Sequence, residues 1–122
     1  MFWTGWHNGS HHRPYSGYGF KVSAEDRDLY FNREWKIVTL ALPVAEGFVL
    51  SEANIDKDSF WGDCRELITK DIGLWMMSNK TAPWVKGKPP RFTVWRVNEA
   101  TFSVYPYESV SGLGGETLFQ GQ

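Results

Sequence analysis

Seven tryptophans in a chain of 122 residues set the main constraint on what it can fold into. Each large ring buries on the order of 150–250 Å² when it enters a core, so a domain this small must enclose most of its rings or present them for recognition. Trp3 and Trp6 open the chain in Phe2-Trp3-Thr4-Gly5-Trp6-His7-Asn8-Gly9-Ser10-His11-His12-Arg13-Pro14-Tyr15-Ser16-Gly17-Tyr18-Gly19-Phe20. That stretch also holds all three histidines and shows neither helix nor strand period over most of its length. Residues 1–19 are therefore expected to form an aromatic, glycine- and histidine-rich arm on a single domain spanning 1–108.

Thirteen basic residues against fourteen acidic ones give a net charge of −1, without the positive footprint of a protein that lives on phosphate backbones. Nucleic acid is thus disfavoured as a partner. The lone cysteine, Cys64, cannot form an internal disulfide, and no basic segment followed by an apolar one opens the chain. No window approaches the run of about 18 apolar residues that a membrane helix needs. These features predict a cytoplasmic protein with no membrane partner.

Ser23, three residues before Asp26, is a weak capping box and predicts a short helix over 24–31, with Leu29, Tyr30 and Phe31 as its buried edge. A strand is expected over Trp35–Leu42, with Trp35, Ile37, Thr39 and Ala41 on one face and an end at Pro43. Gly47–Leu50 would return antiparallel. Trp61, Cys64, Ile68, Ile72 and Trp75 recur at helical spacing and predict a long amphipathic helix over 59–78, capped by Asp58 or Ser59. Prolines make 81–90 a loop, and Phe20-Lys21-Val22 reads as a strand. Arg91–Val97 carries large apolar groups on both faces, as in a sheet covered on each side, and forms a hairpin with Thr101–Tyr105. The expected class is α+β: a small antiparallel sheet with one long amphipathic helix packed on it and a short helix beside. The glycine-rich 109–122 is expected to be a flexible tail. Its Leu-Phe-Gln-Gly resembles a picornaviral 3C-protease recognition sequence, as in an appended segment.

The best candidates for stacking on a ligand, peptide or base are Trp3, Trp6, Tyr15, Tyr18 and the loop residue Trp84, with His7 and His11 beside them. Arg91, with Arg13, Lys86 and Lys88, would add positive charge. The competing structural reading has Trp84 plugging the end of the long helix against the sheet. No metal or other cofactor is implied, because no cysteine or carboxylate stands at zinc spacing from the histidines. Cys64 is expected in the core, and the acids of 56–66 have a structural explanation at a helix start. Gly17-Tyr18-Gly19 lacks the lysine and hydroxyl residue of a phosphate loop.

Trp6-His7-Asn8-Gly9-Ser10-His11-His12, Gly17-Tyr18-Gly19-Phe20, Asp26-Arg27-Asp28, Ser59-Phe60-Trp61 and Ala82-Pro83-Trp84-Val85-Lys86-Gly87-Lys88-Pro89-Pro90 together resemble a set of short, stand-alone bacterial hypothetical proteins. Proteins of that kind occur on mobile DNA, including integron gene cassettes. The resemblance covers about residues 6–104, with Val85 standing where a second proline is expected. It implies a self-contained accessory protein and brings no activity. The favoured function is a non-enzymatic binding module that contacts a protein partner, a second copy in a homodimer, or a small apolar ligand through the arm and the Trp84 loop. The alternatives are a small hydrolase or transferase pairing an arm histidine with Asp26 or Asp63, and a weak binder of single-stranded nucleic acid.

Overall fold

The structure, a computed structural model, describes residues 1–9 and 17–107. Seven strands, β1 (Phe2–His7), β2 (Tyr18–Lys21), β3 (Ile37–Val44), β4 (Gly47–Asn54), β5 (Glu66–Ile68), β6 (Arg91–Asn98) and β7 (Thr101–Pro106), form one sheet in the order β4-β3-β7-β6-β1-β2-β5. Every neighbouring pair is antiparallel except β3 and β7. The sheet curls into a nearly closed, barrel-like form. The helices are short: α1 (Ala24–Tyr30), α2 (Asp58–Trp61) and α3 (Lys70–Ser78). Among the described residues no helix is long and apolar enough to cross a membrane.

This architecture overturns the expected α+β class with a long amphipathic helix, since strand outweighs helix by 43% to 21%. The chain meant for that helix breaks twice. Gly62 leaves the helical region after α2, and Arg65 adopts a left-handed φ of 55°. β5 then pairs with β2, placing Leu67 opposite Phe20. A period of two replaces the period of 3.6: Leu67 is fully buried while Cys64 and Ile68 are exposed, the reverse of what the helical spacing predicts. A new helix starts only at Thr69, whose Oγ1 accepts the Ile72 N–H at 3.2 Å.

Three other expectations need correction. The first described part of the N-terminal arm is a strand: β1 lies between β6 and β2, with Trp3 opposite Phe92 and Gly5 opposite Phe20. α1 begins at the expected cap, Ser23 Oγ accepting the Asp26 N–H at 3.1 Å, but buries none of its residues. Leu29 is exposed, and only the capping Phe31 enters the core. β3 runs through Pro43 because its pairing with β7 ends at Ala41 and Ser103, so the missing N–H is not needed beyond that point. Its inward face is Val38, Leu40 and Leu42, and Ile37, Thr39 and Ala41 share the other parity. The hairpin of β6 and β7 forms as expected, with a register shift between Arg96 and Asn98.

Closure depends on a polar seam. β4 and β5 stand at the two ends of the strand order and approach one another where Ser51, a buried hydroxyl, meets the start of α3. Ser51 Oγ lies 2.8 Å from Thr69 Oγ1 and 2.9 Å from Asp71 Oδ2. A hydroxyl has one proton to donate, and a carboxylate only accepts, so the directions follow. The Ile72 N–H donates to Thr69, Thr69 to Ser51, and Ser51 to Asp71. Replacing Ser51 by alanine strands both neighbours. We expect S51A to lose about 1–2 kcal/mol, toward the lower end for a stranded buried group because half-buried Asp71 can rehydrate. Urea unfolding of S51A beside the parent checks this, and an unchanged midpoint would remove the seam from the account of closure.

Candidate functional site

Strand alternation sends half of each strand's side chains away from the core, and here that outward half is unusually apolar. The register aligns Leu50 of β4, Ala41 of β3, Ser103 of β7 and Trp95 of β6 in one row across four strands. Beside it, Phe48 stands opposite Pro43, and Thr93 stands between Tyr105 and Phe2. Leu50 is 66% exposed, Val97 59%, Trp95 56% and Phe48 52%. The two apolar faces expected of Arg91–Val97 are both present, but only the inner one is covered. No sequence candidate named this surface. Trp95 and Val97 sharing one parity was the signal available.

The predicted stacking set is split by the fold. Trp3 is 1% exposed and Tyr18 fully buried, so both belong to the core. Trp6 is half-buried on the outward parity of β1, opposite Gly19. His11 and Tyr15 lie outside the described residues, as does Arg13. His7 and Trp84 do come together: their rings meet edge to face at 5.1 Å, with Tyr18 5.6 Å from Trp84 and 6.0 Å from His7. His7 Nδ1 accepts the Gly9 N–H at 3.0 Å, which assigns the neutral ring's proton to Nε2.

Gly5 makes this cluster possible. Its N–H donates to the Pro90 carbonyl at 2.8 Å, carrying the β1–β6 ladder into the proline loop. A Cβ at this position would lie 2.9 Å from Pro90 Cγ and 3.2 Å from Trp84 Cη2. Trp84 therefore packs against Gly5 and His7 of β1 and Tyr18 of β2. The expectation that it would plug a long helix is corrected only in what it covers.

Arg91 lies apart from that cluster. Its guanidinium sits 4.7 Å from the Phe2 ring centre and 5.1 Å from that of Tyr107, two rings in edge contact at 5.6 Å. Cys64 is exposed, a correction to its expected place in the core. Asp26 sits in the first turn of α1 and Asp63 is exposed in the turn after α2. Among the described residues no three His, Cys, Asp or Glu side chains gather at a metal-sized site.

Two outcomes follow from this packing. G5A should lose about 1–3 kcal/mol, because both Pro90 and Trp84 must shift, and tryptophan fluorescence should report the movement. If G5A unfolds with the parent, the close approach of the loop is not a constraint. Burial raises the Tyr18 phenol above its ordinary 10.0. The unfolded chain then ionises first as pH rises past about 10, so stability falls from there toward the folded pKa and is unaffected below. Y18F should show a shallower alkaline decline than the parent in urea unfolding between about pH 9 and 11.

Comparison with known proteins adds no relative to this geometry: no protein family, curated protein or solved structure matches the chain.

Proposed function

We propose that the protein is a non-enzymatic binding module that works as a homodimer, with the outward face of β4, β3, β7 and β6 buried between two copies. The observation that carries this is the row Leu50-Ala41-Ser103-Trp95, flanked by Phe48, Val97 and Phe2. The exposed parts of these large side chains amount to about 500–600 Å², at the upper limit of what a monomer ordinarily shows to water. A standard interface buries about 800 Å² per partner, and half-buried Tyr105, opposite Thr93 on the same face, adds to the area available.

Charge favours the same occupant. The centre of the face holds none, and its rim holds both signs, Glu52 on β4 and Arg91 on β6. A second copy thus meets the face without desolvating a charge at its centre. Pairing would also cover Phe48 and Leu50 on the outward side of the end strand β4. The exposed thiol of Cys64, the chain's one cysteine, suits a reducing compartment, and we place the protein in the cytoplasm on that ground.

Light scattering on the eluting chain should give a dimer mass, and dilution should lower the thermal midpoint. L50K/W95K should elute as a monomer. Trp95 alone, changed to alanine, should weaken the dimer about 30-fold, as a buried aromatic anchor does. A monomer at about 100 μM, well above a micromolar Kd, would overturn the proposal. So would a dimer that L50K/W95K leaves intact.

A further inference from the structure

We infer a second binding site, for a small planar organic anion, in the cavity between the end of α3, the proline loop and the start of β6. This goes beyond the docking face. The cavity measures about 400 Å³ and is lined by Lys80, Thr81, Pro89, Pro90, Arg91 and Tyr107. That volume lies in the range of small-ligand sites. Among the described lining residues two are cations and none is a carboxylate.

Several of the other cations meet an acceptor within the chain. Lys21 meets Glu66 at 3.6 Å, Arg27 meets Asp28 at 3.0 Å and Lys36 meets Asp56 at 3.9 Å. Arg65 donates to the Val22 carbonyl and Arg96 to that of Glu99. Lys80 and Arg91 have no such acceptor among the described residues, and they face one cavity. An anion there would neutralise both.

Arg91 is already oriented for the task. Its guanidinium lies over Phe2 and Tyr107, which fixes the plane of the fork and leaves its N–H edges as donors for a carboxylate or phosphate. Lys80 is held in a left-handed φ of 66°, its N–H donating to the Met77 carbonyl at 3.3 Å. Thr81 plays no direct part in holding the charge, because its hydroxyl proton goes to Asn79 Oδ1 at 2.6 Å. The other walls are flat and apolar: two prolines and the Tyr107 ring. They suit a planar body, so the ligand class is an aromatic carboxylate or aryl phosphate rather than a bare inorganic anion.

The test is calorimetric titration with phenyl phosphate, benzoate, inorganic phosphate and neutral benzyl alcohol. Saturable binding of phenyl phosphate or benzoate is expected, at least tenfold tighter than either inorganic phosphate or benzyl alcohol, and weaker as salt rises. Arg91→Ala should weaken it at least tenfold and Lys80→Ala severalfold. Both residues are surface cations without an ion pair, so the variants should unfold close to the parent, which far-ultraviolet dichroism checks. L50K/W95K should bind like the parent, because one chain supplies all the described lining residues and neither Leu50 nor Trp95 is among them. No saturable binding by either aromatic anion would overturn the site, as would binding that survives Arg91→Ala. Equal binding of inorganic phosphate would overturn the planar class, and loss of binding in L50K/W95K would overturn the single-chain cavity. None of these outcomes depends on whether the chain dimerises.

Discussion

Trp3 joins the two halves of the core. Its ring lies 5.5 Å from Phe102 and 6.2 Å from Phe31, and Phe31 continues to Phe60 at 5.2 Å. On the other side it meets Phe20 at 5.8 Å, which continues to Phe92 at 4.9 Å and Trp75 at 6.1 Å. The indole N–H has no acceptor among the described residues, a deficit of about 1–3 kcal/mol. Three neighbouring rings offset it, since each aromatic contact adds about 0.5–1.5 kcal/mol beyond area burial. An aromatic interior of this kind tolerates an unsatisfied donor that an aliphatic one would not.

From that ring system follows the modest role of the helices. Phe31 caps the end of α1, Phe60 lies in four-residue α2, and Trp75 lies in α3, so each helix delivers one large ring into a barrel already lined by strands. Backbone positions are fixed by hydrogen bonds from long side chains. Arg27 donates to the carbonyls of Phe60 and Gly62, tying α1 to α2. Trp75 Nε1 donates to the Pro43 carbonyl at 2.8 Å, and Trp61 Nε1 to that of Ile55 at 2.9 Å. The tryptophans therefore act as anchors as well as filler, and a nine-residue helix is long enough to hold one at each place it is needed.

Local signals in the sequence were legible where one interaction decided them. Ser23 marked the start of α1, and the alternation of Phe102 and Val104 marked β7. The tip between β3 and β4 was marked by its turn. What misled was a coincidence of periods over 59–78, where Ile72 and Trp75 belong to a helix but Leu67 belongs to a strand. Only pairing with β2 chooses between them, and that pairing is a long-range fact with no local trace. The N-terminal segment hid its strand in the same way. Gly5 lowers β propensity, yet it is there because Pro90 and Trp84 occupy the space of a side chain. Among the site residues, the fold brings His7 to Trp84, whereas Trp3 and Tyr18 are drawn inward by strand pairing, which is decided by distant neighbours.

Strand parity then divides the aromatic residues by role. Trp3, Tyr18, Phe20, Phe92 and Phe102 point inward and account for the fold. Phe2, Phe48 and Trp95 lie on the same strands or their neighbours, with the opposite parity, and are about half exposed. Water-exposed rings on a sheet contribute little to holding it closed and favour unwanted association, so the fold gives no reason for them. Thr39 and Thr101 show that the same face accepts small polar residues one row away. The outward rings are therefore best explained by what they touch outside the chain, which is why the docking face, and not the opening aromatic segment, carries the argument for function.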